Sequence, residues 1–142
     1  MIVTNAEAGW VELSATRFMP GLMKTLKRYN TEILSARSAY EPKYPGDIMS
    51  WKAHAFMERV SAKYDTPEAL SKLNLVSVGD SISEREAAHH VSTETGAKGR
   101  VKTVKFVENP DIEQMRRQLM LLTTYLPEIC THPGTFDVNL IC

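Results

Sequence analysis

This sequence has no excess charge of either sign: seventeen lysines and arginines balance seventeen aspartates and glutamates. The one-signed electrostatic footprint that nucleic-acid binders usually carry is therefore missing. No apolar run approaches the roughly eighteen residues a membrane-crossing helix needs. The start "MIVTNAEAGW" has neither the basic flank nor the apolar core of a secretory signal. Neither nucleic acid nor membrane is expected as a partner, and the expected location is cytoplasmic. Cysteine is scarce. Cys130 and Cys142 lack C-x-x-C spacing and a paired His cluster, so a zinc site or disulfide framework is not supported. Internal repeats and low-complexity segments are also absent.

What is present fits one domain over residues 1–142, long enough to bury about two-thirds of the surface its unfolded chain exposes. Short apolar runs alternate with helical patterns. Ile2-Val3 leads into Thr4-Asn5, and Trp10, Leu13, Arg17 and Phe18 follow near helical spacing until Pro20-Gly21. Ile33-Leu34 is a second short strand candidate. Ser50 can cap a helix from Trp51 to about Tyr64, with Ala53, Phe56, Met57 and Val60 facing inward. Leu75, Val76 and Val78 suit a strand buried on both faces. The pattern from Ser83 to about Thr95 is helical.

"VKTVKFVE" from Val101 alternates, which predicts a strand with a wetter face near a sheet edge; Lys98, Arg100, Lys102 and Lys105 form its mild basic stripe. Asn109 and Pro110 open a last helix, in which Ile112, Met115, Leu119 and Leu122 recur. The methionines at 19, 23, 49, 57, 115 and 120 are expected to fill core gaps. Strands separated by helices predict βαβ crossovers and a mostly parallel sheet.

Three places carry potential chemistry. Gly79-Asp80 stands at the carboxyl end of a strand, where open α/β sheets bind ligands. The structural alternative is a turn in which Asp80 or Ser81 caps the helix from Ile82. Lys52 falls in the expected first turn of its helix, where the macrodipole disfavours a cation by about 0.3–1 kcal/mol. It therefore either snorkels into solvent or meets an anion. Thr4-Asn5 ends the first strand. A hydroxyl, helix-start N–H groups, a lysine and a strand-end carboxylate are the parts of a metal-assisted phosphate site. Adjacent His89 and His90 face different ways and do not form a ligand pair. His54 and His132 are isolated and are assigned structural roles.

These elements resemble motifs II, III and IV of the haloacid dehalogenase-like (HAD) hydrolases: "IVTN", Lys52 and "VGDSISE". "VTNAEAGWVELSATRFMP", "SARSAYEPKYP", "WKAHAF" and "VKTVKFVENPDIEQMRRQL" resemble a HAD-like branch from eukaryotic microbes. The resemblance implies a three-layer α/β/α Rossmann-like fold and a Mg²⁺-dependent phosphatase. It implies that Thr4 and the amide of Asn5 hold a phosphoryl oxygen and that Lys52 neutralises charge. It also implies that Asp80 ligates Mg²⁺ and that Glu84 orients a metal-bound water. Glu86 faces elsewhere.

The family's nucleophile is the first aspartate of a D-x-D at the end of the central strand, and no D-x-D occurs in this sequence. "FDVN" comes nearest but has only Phe136 ahead of Asp137. The expectation is thus the carboxyl-terminal part of a phosphatase with its central nucleophile strand missing, inactive alone, with weak or absent Mg²⁺ binding. The alternative is a non-catalytic phosphate-binding or protein-interaction module. Expected partners are a phosphorylated substrate and either the missing amino-terminal segment or a second copy joined through open strand edges. Short loops imply little or no cap.

Overall fold

The computed structural model describes residues 1–96 and 99–141. It divides into two compact units, Met1–Ala55 and Phe56–Cys142. The first unit holds β1 (Ile2–Thr4), α1 (Trp10–Phe18), α2 (Pro20–Arg28), β2 (Ile33–Ser35) and α3 (Ala36–Tyr40), together with the start of α4 (Ile48–Lys63), within which the division falls. β1 and β2 are parallel, Val3 opposite Leu34 and Thr4 opposite Ser35. A parallel pair requires a crossover, which α1 and α2 supply. Pro20 opens α2, a position where its missing N–H costs nothing. Ser35 caps α3 by accepting the Ser38 N–H at 2.9 Å. Trp51 and Ala55 of α4 are buried with Ala36 and Tyr40, against Val3, Leu34 and Tyr44. His54 stacks on Tyr44, centroids 4.3 Å apart, and on Tyr40 at 5.6 Å.

The second unit holds α5 (Pro67–Leu70), β3 (Asn74–Gly79), α6 (Ile82–Glu94), β4 (Arg100–Lys105), α7 (Ile112–Thr131) and β5 (Phe136–Asn139). The sheet order is β3-β4-β5, all parallel, with Gly79 opposite Lys105 and Thr103 opposite Asp137. Helices and parallel strands in two small sheets make the chain α/β. Ala87, Ala88 and Val91 form the buried face of α6, which packs on β3 and β4. Two alanines in that face let the helix approach the strands closely.

Several sequence expectations need correction. α4 begins before Ser50: Asp47 accepts the Ser50 N–H at 3.1 Å and its hydroxyl at 2.6 Å, so the carboxylate caps a helix that Ser50 was expected to start. The buried stripe of α4 therefore runs through Trp51, Ala55, Phe56 and Val60, with Ala53 and Met57 only half-buried. The last helix is capped by Asp111, not Asn109. Asp111 Oδ1 accepts the Gln114 N–H at 2.7 Å, and Gln114 Oε1 accepts the Asp111 N–H at 3.0 Å. Asn109 sits in the left-handed region at φ 49°, a turn conformation asparagine tolerates.

The expected edge strand is instead the centre of its sheet, with Val101 to Val104 all buried. Lys102 is fully buried because its ammonium donates to the carbonyls of Ile129, at 2.7 Å, and Cys130, at 3.0 Å, at the end of α7. A helix carboxyl end is where a cation is favoured. Lys98 and Cys142 lie outside the described residues. Met19, Met49 and Met120 are exposed, so they do not fill core gaps.

Candidate functional site

Thr4, Asn5 and Lys52 fall in the first unit, Asp80 and Glu84 in the second. At the end of β1 the Thr4 Oγ1 accepts the Ala6 N–H at 3.1 Å, which leaves the hydroxyl proton for another acceptor. The Asn5 amide oxygen is buried without a hydrogen-bond partner among the described residues, a cost of about 1–3 kcal/mol. A small cavity of about 80 Å³ is lined by Thr4, Glu7, Glu12, Ile33 and Ser35. One Glu12 oxygen is likewise buried and unpartnered.

Lys52 is only 5 % exposed, which removes the solvated alternative. It is the fifth residue of α4, beyond the first turn in which the macrodipole acts. Burial, rather than the helix end, is what makes it unusual. Its neighbour Trp51 belongs to the buried cluster against which Val3 of β1 and Leu34 of β2 pack, so Lys52 rides on a helix that shares its core with the sheet ending at Thr4.

In the second unit the turn after β3 is built by a capping box. Ser81 Oγ accepts the Ser83 N–H at 3.1 Å, and Glu84 Oε2 accepts the Ser81 N–H at 3.0 Å. Of the two capping alternatives, Ser81 is the one realised. The Glu84 side chain lies over the strand end: a Cβ on Gly79 would come within 2.5 Å of Glu84 Cγ. Glycine at 79 is thus required by this carboxylate. Asp80 itself is exposed.

Lys105, read from the sequence only as part of a wet stripe, belongs to this turn. Its Nζ donates to the Asp80 carbonyl at 3.2 Å and to the Phe106 carbonyl at 3.2 Å, and pairs with Glu108 at 3.1 Å. With Ser77, Gly79, Ser81, Glu84 and Arg85 it lines a shallow depression at the strand ends. The available signal was its register opposite Gly79, which only strand pairing reveals.

Among the described residues no three His, Cys, Asp or Glu side chains gather as a metal centre. Magnesium, however, is commonly held by one or two carboxylates, with water and substrate phosphate completing the shell. Asp80, an exposed carboxylate at a strand end, fits that minimal arrangement. Glu84, with one oxygen committed to Ser81, fits an outer position. His89 meets Asp137, its Nε2 3.3 Å from Oδ2. Arg85 Nε donates to the same oxygen at 2.7 Å, and the Thr103 hydroxyl donates to Oδ1. This saturated carboxylate ties α6 to β4 and β5.

Comparison with protein-family models, with curated proteins and with solved structures finds no match to this chain.

Proposed function

We propose that the chain carries the phosphate-contacting and metal-contacting elements of a HAD-like, Mg²⁺-dependent phosphatase, and that hydrolysis needs an aspartate nucleophile from outside these 142 residues. The burial of Lys52 carries this reading. Its ammonium lies out of water on a helix whose Trp51 and Ala55 share a buried cluster with Val3, in the strand that ends at the Thr4 hydroxyl. In this function Thr4 donates to a phosphoryl oxygen, helped by the backbone N–H of Asn5. Lys52 neutralises the phosphoryl charge. Asp80 would hold the magnesium ion, which supplies Lewis-acid polarisation when bound. Glu84, with Oε2 held by the Ser81 N–H, would supply an outer carboxylate to orient a water there. Electrostatic positioning of this kind provides most of the catalysis in phosphoryl transfer, but a covalent route still needs the carboxylate nucleophile.

β1 and β3 each end their sheet on one side, so each presents main-chain groups that an added strand can pair with. That is the route by which a nucleophile-bearing segment would join. A second reading is a phosphate-binding or protein-interaction module without chemistry, and its protein-interaction form is favoured by Glu7 and Glu12. They line the same cavity as Thr4 and weaken anion binding there.

One set of measurements tests both. Inorganic phosphate is titrated into the chain with Mg²⁺, followed by NMR shifts, beside an aryl-phosphate assay with and without an added peptide bearing an apolar strand that ends in D-x-D. We expect phosphate binding that is lost in Lys52→Met, no turnover by the chain alone, and turnover with the peptide. Binding without any peptide-dependent turnover supports the module instead. Turnover by the chain alone, abolished in Asp80→Ala, would overturn the requirement for an outside nucleophile. Absence of phosphate binding would end the phosphatase reading and the phosphate-binding form of the second, leaving the protein-interaction module.

A further inference from the structure

The outer edge of β5 is independent of the phosphate reading. β5 is the last strand of its sheet, and among the described residues only β4 pairs with it. Side chains alternate cleanly along it. Asp137 turns to α6 and is tied to Arg85 and His89. Phe136, Val138 and Leu140 turn the other way, into an open groove of about 440 Å³ that α7 walls with Leu121, Leu122 and Tyr125. Val138 is 40 % exposed and Tyr125 50 %. Edge strands ordinarily carry lysine, proline or a bulge that blocks further pairing. Phe136–Asn139 carries no lysine and no proline, and its register with β4 is unbroken.

The edge is also self-complementary. The Leu140 N–H is spent on the Lys105 carbonyl at 2.8 Å. In a parallel ladder, alternate residues face the partner strand, so the N–H and C=O groups of Asp137 and Asn139 face outward. An antiparallel copy centred on Val138 places Asp137 opposite Asn139 of the second copy in hydrogen-bonded pairs. Val138 then meets Val138 in the close, non-hydrogen-bonded pair, and Phe136 meets Leu140. Every apolar residue falls on the groove side and every polar one on the α6 side, with no carboxylate facing another.

We infer that a second copy of this chain docks on β5, joining two three-stranded sheets into one six-stranded sheet and covering both grooves beside α7. The interface is isologous, which is the commonest form of soluble oligomer.

The test uses the 142-residue chain in sedimentation velocity over a concentration series. The expected result is a dimer that dissociates on dilution. Asn139→Pro removes an outward N–H and spares the β4 ladder; Val138→Lys places a charge in the centre of the pair. Both should be monomers with unchanged far-UV circular dichroism. Val138→Cys should form a disulfide-linked dimer under mild oxidation, mapped to position 138 of both copies by mass spectrometry, which keeps the idea testable if either other variant fails to fold. A chain that stays monomeric throughout, or a dimer that survives both substitutions and gives no 138–138 link, would overturn the proposal. Among monomeric outcomes, an edge reserved for an unrelated extended peptide would be the replacement reading.

Discussion

The two units use the same α/β plan with different completeness. In the second, six-residue strands β3 and β4 pair along their whole length, and the middle strand is buried from Val101 to Val104. In the first, the strands are three residues long, and α2 has no buried residue. Trp10, Leu13, Phe18 and Tyr29 are all more than half exposed there. The middle strand has both edges paired by neighbouring strands and α6 packed on it, whereas a two-stranded sheet has only edges. The same contrast separates β3 from β4. Both are rich in β-branched residues, yet Leu75, Val76 and Val78 remain half-buried while Val101 and Val104 are closed off. Burial follows the number of neighbours and not the composition of the strand.

The largest effect that would sharpen this comparison is in the core of the second unit. Leu73 is 2 % exposed, and Leu73→Ala should lower unfolding free energy by about 2–5 kcal/mol. Leu22→Ala on α2, at a 38 % exposed site, should change it by no more than about 0.5 kcal/mol. Chemical denaturation of both variants measures the pair, and equal losses would erase the distinction between the units.

Next in size is Lys102→Met. It leaves the Ile129 and Cys130 carbonyls without the ammonium, an expected loss of about 1–3 kcal/mol. Burial, with the Arg100 charge beside it, lowers the Lys102 pKa against a smaller opposing effect of Cys130. Because the folded value lies below the unfolded one, the unfolded chain binds the extra proton between the two. Stability from this group therefore rises with pH across that window. The rise should be present in the parent chain and absent in Lys102→Met.

A smaller effect is expected from Asp137→Asn. Burial pushes the Asp137 carboxyl up. Hydrogen bonds from Thr103 and Arg85, the Arg85 charge and the His89 contact outweigh it and hold the carboxyl below its usual value. The folded pKa is depressed, so its contribution is full above the unfolded value and disappears as pH falls through the folded one. At neutral pH the substitution should cost about 1–2 kcal/mol, a loss that shrinks toward zero in acid. Thermal melts of both proteins at falling pH give the comparison, and a cost that is constant with pH would show that the carboxylate charge is irrelevant.

Much of this was legible locally. The β-branched pairs Ile2-Val3 and Val76-Val78, the helix from Ile82 and the stop at Pro20-Gly21 appear where the chain signals them, because propensity and turn chemistry act within a few residues. The carboxylate caps at Asp47 and Asp111 were open to the same reading but lost to nearby Ser50 and Asn109, since several polar residues in a row compete for one helix start. Of the candidate site, Thr4-Asn5 at a strand end and Gly79-Asp80 at another could be read from pattern. The burial of Lys52 and the place of Lys105 beside Asp80 could not.

By itself the sequence determined the α/β alternation, the glycine at position 79 and the strand-end positions of Thr4-Asn5 and Asp80, all of which depend on residues close along the chain. Tertiary structure decided which strand is central, which lysines leave water and what satisfies them. Lys102 shows the physical reason. Its alternating neighbours read as a wet edge, but the carbonyls that accept its protons belong to a helix end more than twenty residues away, at Ile129 and Cys130. A buried charge is tolerable only where distant backbone groups converge on it, and no local pattern records that convergence.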